Sequence, residues 1–566
     1  MFLIKKKIAE AIYSVIADKA SDLTVEAIAD MLEYPPDTTM GDIAFPCFKL
    51  SKALRAAPPK IAADILASFS CECVGSCSQA GGYLNMKLSD DYLSGELLSR
   101  IKNEKDYGSD HSGDGKVVTL DYSSPNICKP FHIGHLGSTI IGQSLKNIHE
   151  FCGWKAIGIN HLGDWGTQFG KQITAYKLWG DRETIEKGGV DALVALYVRF
   201  HEEAEKDPSL NDRAREEFHL LETGNEENVE LWKWFVSVSL AEFNRSYERL
   251  GISFDSYAGE SFYTDKMDEQ VQALRDKGML KLDDGASIVD LSEYNMPPCL
   301  ILKRDGSTLY PTRDIAAAVW RKRNYNFDRS IYVTAAQQCL HFAQWFKVVE
   351  LMGYDWSDEL VHVPYGLVSI NGAKLATRTG NVILIKDLID AAVGKASEIM
   401  KEKNPELAGN TEIADAVGIG AIVYHYLSGA RIKDIDFRME EALSFDGNTG
   451  PYAQYTYARC CSVLEKAQAS DCACAAISAD EERELLKTLA RFPEKVQAAI
   501  REFEPSDITR YIFELASSYN RFYHECRILS AEDEKVKALR LSLTEATKKV
   551  LGQALELICM KHPEKI

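Results

Sequence analysis

Residues 117–159 constrain the fold more than any other stretch. They read as a short apolar strand (VVTLDY), a polar loop (SSPNICKPFH), a helix (IGHLGSTIIGQSLKNIHEFCG) and a second strand within WKAIGINHLGD. Leu136, Ile140, Ile141, Leu145 and Ile148 share one helical face, and Gly153 is placed as a stop. Strand, crossover helix and strand make a βαβ unit, the opening of a doubly wound, nucleotide-binding parallel sheet. Strand-like segments return at CLILKRDG, SIYVTAA and VHVPYGLVSI and supply the second half of that sheet.

The remaining pattern groups around this unit. Residues 1–110 predict a small α/β domain that ends at the linker YGSDHSGDG. Residues 111–410 hold the Rossmann-like sheet, with a charge-rich, largely helical insertion around 180–300. Residues 411–566 carry a continuous helical signal and predict an all-α domain. A chain of 566 residues has ample material for three or four such domains.

The N-terminal MFLIKKKIAE lacks the apolar core and cleavage site of a signal peptide, and no apolar run is long enough to span a bilayer. A soluble, cytoplasmic protein with no membrane partner is expected. The 14 cysteines form no disulfide framework, which fits a reducing compartment. Two clusters stand out: Cys71, Cys73 and Cys77, and Cys460, Cys461, Cys472 and Cys474. Neither has paired C-x-x-C knuckles, so no metal site is expected and they read as buried or incidental thiols.

Net charge is −19, which on average disfavours a nucleic-acid partner. A local basic track can still exist on an acidic body, because phosphate contacts depend on nearby Lys and Arg. Charge alone leaves the partner open.

The chemistry concentrates at His132-Ile133-Gly134-His135, at the mouth of the first crossover helix, with Asn126 and Lys129 in the loop before it. Taken alone, two histidines at a helix start are as consistent with a plain surface helix. In context, the two imidazoles, Lys129 and free helix N–H groups are expected to converge on a phosphate. Gly134 leaves room for a flat base against the backbone. A second element, Gly372-Ala373-Lys374-Leu375-Ala376-Thr377-Arg378-Thr379-Gly380, is a glycine-flanked basic loop suited to a pyrophosphate leaving group.

These two elements resemble the HIGH and KMSKS signatures of class I aminoacyl-tRNA synthetases. More narrowly, SSPNICKPFHIGHLGSTIIG, NHLGDWGTQFG, LYPTRDIAAA and GNTGPYAQYTYARCCSVL follow the arginyl-tRNA synthetase pattern in order. GDIAFPCFKLSKAL, SYNRFYHECRIL and HPEKI extend the resemblance over nearly the whole chain.

The resemblance implies a ligase that activates L-arginine with ATP and Mg²⁺ and transfers it to tRNA(Arg), acting as a monomer. It implies a Rossmann-like catalytic domain between an N-terminal α/β domain touching the tRNA body and a helical anticodon-binding domain. It assigns ATP contacts to His132, Gly134, His135, Lys374 and Thr377, with Lys129 and Arg378 among the catalytic cations. It assigns arginine contacts to Ser124, Asn126, His135, Glu260, Tyr310, Asp314 and Gln338, and tRNA contacts to Tyr452, Gln454, Tyr455 and Arg459. An always-charged planar guanidinium needs carboxylate acceptors, the role implied for Asp314 and, less directly, Glu260.

Two departures stand out. Thr377 replaces the second lysine of the loop signature, and Lys129 is placed to compensate. Gly137 stands where the family usually has arginine. From Glu441 onward 17 Lys and Arg face 20 Asp and Glu, so RNA binding there needs a one-sided basic face and stacking from Tyr452, Tyr455 and Tyr457. Two other functions remain open on sequence grounds: a small-molecule nucleotidyltransferase, and a non-catalytic binder of arginine or RNA.

Overall fold

The computed structural model describes residues 1–18, 23–374, 383–407, 409–467 and 476–566, with Thr38, Ala373, Lys374 and Lys403 described through the backbone only. Thr377, Arg378, Cys472 and Cys474 lie outside the described residues.

In the N-terminal unit the helix Phe2–Ile16 turns Ile4, Ile8 and Ile12 inward, as a four-residue spacing dictates. A three-stranded antiparallel sheet completes the unit: β1 (Ile43–Pro46), β2 (Val74–Ala80) and β3 (Tyr83–Leu88), in the order β1-β3-β2.

The central sheet begins with β4 (Val117–Asp121) and β5 (Lys155–Ile159), parallel in register from Val117↔Lys155 to Asp121↔Ile159. Between them runs the helix Ile133–Phe151, buried on nearly every side. Long helices Arg182–Lys206, Ser209–Glu222 and Glu226–Leu250 follow, and then a small antiparallel sheet of β6 (Leu280–Asp283), β7 (Ala286–Val289) and β8 (Cys299–Leu302). The CLILKRDG segment, expected in the main sheet, instead pairs antiparallel with β7. β9 (Arg329–Ala335) and β10 (Leu360–Tyr365) complete the main sheet in the order β10-β9-β4-β5, all parallel. After β4 the chain goes first to one side and later to the other. The carboxyl ends of β4 and β9 therefore flank a topological switch point, the crevice where open α/β sheets bind ligands.

The chain continues through a small sheet of β11 (Val368–Ile370), β12 (Ala373–Lys374) and β13 (Ile435–Phe437) into a bundle. Val368–Ile370, expected in the main sheet, thus leaves it, and β13, its parallel partner, interrupts the 411–566 region expected to be all helical. The bundle helices Gly450–Lys466, Asp480–Ala490, Phe492–Glu502, Ser506–Glu525 and Glu534–Leu557 share a core that includes Leu485, Leu515 and Leu551. The bundle is tied to the N-terminal unit by Asp42, which accepts from Arg483 (2.6 Å) and Lys487 (2.9 Å). Burial pushes the Asp42 carboxyl up, yet those two cations hold it at about 2. Among the described residues no helix is long and apolar enough to cross a membrane.

Candidate active site

The loop leaving β4 is conformationally strained. Ser123, Ser124 and Cys128 have positive φ (70°, 48° and 59°), a region costly for side-chain-bearing residues. Tertiary contacts hold it there. Ser123 N–H donates to Ser138 Oγ (3.0 Å), Thr139 Oγ1 donates to Ser123 Oγ (2.8 Å), and Ser124 N–H donates to Asn160 Oδ1 (3.2 Å). Gly163 pairs with Asn126, and a Cβ at Gly163 would sit 2.3 Å from Asn126 Oδ1. Only glycine leaves Asn126 its place.

At the switch point lies a cavity of ≈ 380 Å³ whose lining includes Ser124, Asn126, Glu260, Tyr310, Asp314 and Gln338. Segments separated by more than two hundred residues thus bring six predicted contacts together. The same cavity is lined by Asp121, His161, Arg313, Tyr332, Thr334 and His341, which sequence reasoning did not single out. Asp121 left a readable signal, a carboxylate ending an apolar strand at the ligand-binding edge of the sheet. Nothing in the sequence marked His341, which enters through the packing of its helix.

The charges inside the cavity sort themselves. Asp121 pairs with Arg321 (2.8 Å), whose side chain is fully buried, and Glu260 pairs with Arg313 (2.8 Å). Burial raises the Glu260 carboxyl above its usual range, with Arg313 opposing. Asp314 instead meets the imidazole of His341, Oδ2 to Nε2, at 2.6 Å. Of these three carboxylates, Asp314 is the one with no Lys or Arg partner among the described residues. It does not cap its helix: the N-cap is Leu309, without a side-chain cap bond. Tyr310, 65% exposed, stands at the mouth.

The histidine signature departs from expectation. The helix start carries no free N–H in its first three positions. Ile133 N–H donates to the Ile383 carbonyl, Gly134 N–H to His132 Nδ1, and His135 N–H to the His132 carbonyl. His135 Nδ1 accepts in return from His132 N–H (3.2 Å), so the two histidines form a reciprocal capping box. His132 Nδ1 accepts from Gly134 N–H, which puts the proton of that neutral ring on Nε2, whereas His135 Nδ1 lies 3.2 Å from both the N–H and the carbonyl of His132 and meets a partner in either tautomer. Burial lowers His132, helped by Lys129, and burial with His132 drives His135 down to about 3. Both rings are neutral at pH 7, so each brings a single N–H and no positive charge. Neither lines the ≈ 380 Å³ cavity. Lys129 is exposed beside them.

A second cavity, ≈ 250 Å³, opens on the other side of the β9 terminus. Gly134, Gly137, Ala335, Tyr365 and Gly372 are among its lining residues. Gly372 leads directly into the basic loop 372–380.

The chain matches the model for the class I (R) tRNA synthetase catalytic domain over residues 96–439. It also matches the arginyl tRNA synthetase N-terminal domain over 3–88 and the DALR anticodon binding domain over 453–566. The chain belongs to the arginyl-tRNA synthetase family. An arginine–tRNA ligase of Alkaliphilus metalliredigens is 49% identical over 95% of this chain and 96% of its own, and one of Clostridioides difficile 47% over 98% and 99%. The Thermus thermophilus arginyl-tRNA synthetase structure matches with a TM-score of 0.85 at 25% identity, over 98% of this chain and 99% of that one. That of Plasmodium falciparum matches at 0.83, also at 25% identity, over 100% and 99%.

Within this arginyl-tRNA synthetase framework, Gly137 has a local explanation. A Cβ there would lie 3.1 Å from the Tyr365 ring, so the aromatic ring crowds the place an arginine stem would need. On the helix Gly450–Lys466, Arg459 sits between the rings of Tyr455 (5.0 Å) and Tyr523 (4.8 Å), beside a cavity of ≈ 740 Å³. Tyr452 packs near Phe513. Gln454 corrects the expected tRNA set: it is fully buried, and its Nε2 donates to the carbonyls of Ala416 (2.8 Å) and Lys561 (2.7 Å). It therefore ties helices together and has no surface to offer RNA. Tyr457 is likewise buried, its ring 4.4 Å from His562.

Proposed function

We propose residue roles for the family's reaction, the ATP-dependent ligation of arginine to tRNA(Arg). The observation that carries this reading is the convergence of Ser124, Asn126, Glu260, Tyr310, Asp314 and Gln338 on one cavity at the switch point. Asp314 and Tyr310 take the substrate guanidinium, with charge-assisted and planar geometry. Ser124, Asn126 and Gln338 hold the α-amino and carboxylate end, with His135 beside them. Glu260 acts through Arg313, as a wall of the pocket more than as a direct partner.

The arginine carboxylate attacks the α-phosphorus of ATP, forming arginyl-adenylate and releasing pyrophosphate. His132 donates through Nε2 to the nucleotide oxygens with His135 beside it, and Gly134 admits the base. Lys129, Lys374, Thr377 and Arg378 stabilise the leaving pyrophosphate. Catalysis is positioning and charge stabilisation, with no protein nucleophile. The 2′-OH of the terminal tRNA ribose then takes the arginyl group.

Mg²⁺ would be carried by the triphosphate and water, as is usual for this ion. Among the described residues no group of three His, Cys, Asp or Glu could hold a metal by itself. In this reading residues 1–110 touch the tRNA body, 111–410 carry the chemistry, and 411–566 meet the anticodon through Tyr452, Tyr455 and Arg459. The enzyme works as a cytoplasmic monomer.

Pyrophosphate exchange tests the reading. Arginine-specific exchange that requires tRNA is expected. Exchange that ignores tRNA, or that prefers another amino acid, overturns it.

A further inference from the structure

The N-terminal unit carries a pair of thiols that arginine activation does not use. Residues 71–74 form a tight turn at the start of β2, closed by Val74 N–H donating to the Cys71 carbonyl (3.0 Å). The turn places Cys71 and Cys73, two residues apart, on the same side, with their sulfurs 3.1 Å apart. Cys71 is half-buried at the rim, whereas Cys73 is fully buried beneath it. Glu72 between them is exposed and held by Lys7 of the first helix, which also binds Glu96. Ser89 N–H donates to the Cys73 carbonyl (2.9 Å), so the inner end of the turn is anchored as well.

We infer that Cys71 and Cys73 form a reversible dithiol–disulfide site, oxidised by a small disulfide-bonded thiol that reaches Cys71 from solvent. The geometry needs only a modest change, since a disulfide bond is about 2 Å long and the sulfurs must close by about 1 Å. The hydrogen bond from Cys73, against burial, lowers the Cys71 thiol, and Cys71 is the sulfur that solvent reaches, so it is the attacking one. Lys7 stands on the same side and favours the thiolate.

The exchange balances without further reagents. Cys71 thiolate attacks one sulfur of the small disulfide, whose S–S bond breaks, and the first thiolate leaves and takes up a proton. Cys73 then gives up its proton, and its sulfur attacks Cys71 Sγ in the mixed disulfide and displaces the second thiolate. Two protein thiols are oxidised, and one disulfide is reduced to two thiols. A ring closed over a single intervening residue is strained, and strained, accessible disulfides are the labile kind. The bond therefore opens again under mild reduction and marks a modification site instead of a permanent cross-link.

The test uses the full-length protein treated with oxidised glutathione, then denatured, alkylated and mapped by mass spectrometry. The expected result is loss of alkylation at Cys71 and Cys73 together, a mass two hydrogens lower, retained alkylation at Cys77, and full reversal by dithiothreitol. Cys73→Ala should trap a glutathione adduct on Cys71, and Cys71→Ser should leave Cys73 alkylated after the same treatment. Full alkylation of both cysteines in the treated wild-type protein, or a bond from Cys71 to Cys77 in place of Cys73, overturns the inference.

Discussion

Arg321 and Asp121 form an ion pair at 2.8 Å at the wall of the ≈ 380 Å³ cavity, and Arg321 is 1% exposed. Asp121 also accepts Ser124 Oγ at 2.9 Å, so a buried cation fixes a carboxylate that in turn fixes a predicted substrate contact. Arg321→Met strands Asp121 near the cavity floor. Breaking a buried pair from one side costs about 3–5 kcal/mol. Denaturant unfolding should show a loss of that size together with a raised KM for arginine. A loss below about 1 kcal/mol would show that the pair is not what holds Ser124.

The charge arrangement ranks the pocket carboxylates. Asp314→Asn removes the one of the three carboxylates that has no arginine partner among the described residues, and a hydrogen bond to a charged group contributes about 1.5–3 kcal/mol. That corresponds to a fall of roughly 10- to 150-fold in kcat/KM for arginine. Glu260→Gln should act mainly on stability, because Arg313 already occupies that carboxylate. Steady-state kinetics on both variants decide the ranking, and a larger kinetic defect in Glu260→Gln reverses it.

Lys129 is exposed beside the histidine pair, while Thr377 supplies no charge to the basic loop. Lys129→Ala should lower the rate of arginyl-adenylate formation by about tenfold or more, with the KM for arginine nearly unchanged. Single-turnover measurement of adenylate separates the two parameters. An unaltered rate would place the compensating charge elsewhere.

Gly137 and Tyr365 compete for one volume. Gly137→Arg should cost about 1–3 kcal/mol by overpacking, and should weaken ATP binding because both residues line the ≈ 250 Å³ cavity. Adding Tyr365→Ala should restore part of both losses. Thermal unfolding and ATP titration measure the coupling; strictly additive effects would mean that the ring does not exclude the side chain.

Stability should fall in mild acid. Burial lowers His149 from 6.5 to about 4 in the folded protein and His135 to about 3. A neutral buried imidazole contributes its stability fully above pH 6.5, where the unfolded histidine is neutral too. That contribution is lost as pH falls from 6.5 toward the folded values, because only the unfolded chain gains the proton. Each such histidine gives a slope of up to about 1.4 kcal/mol per pH unit in that window. His149→Gln should flatten the dependence of the unfolding midpoint between pH 6.5 and 4, and an unchanged slope counts against the assignment.

The framework of the candidate site was legible in the linear chain because backbone-driven features are local. Apolar periodicity around Leu136 and Ile148 demands a crossover helix, and the loop residues Ser124 and Asn126 follow β4 directly. The distant contacts Tyr310, Asp314 and Gln338 were legible only through the pattern shared with a family, since no local rule places them opposite Asn126. Gln454 shows the limit: its helix is plain in the sequence, but helical periodicity alone did not say which face the bundle covers. Its amide nitrogen is consumed by two carbonyls from remote segments.

By itself, then, the sequence determined the central βαβ unit, the parallel type of the main sheet and the identity of the chemical groups available. Those depend on short-range periodicity and on residue type. The sequence did not determine that Cys299–Leu302 and Val368–Ile370 leave that sheet for smaller ones. Tertiary structure decided what state each group is in. It made His132 and His135 neutral caps, gave Asp121 and Glu260 resident guanidinium partners while leaving Asp314 to an imidazole, and filled the space beside Gly137 with Tyr365. Protonation and charge pairing depend on burial and on neighbours hundreds of residues away, and packing alone brings those neighbours within a few ångströms.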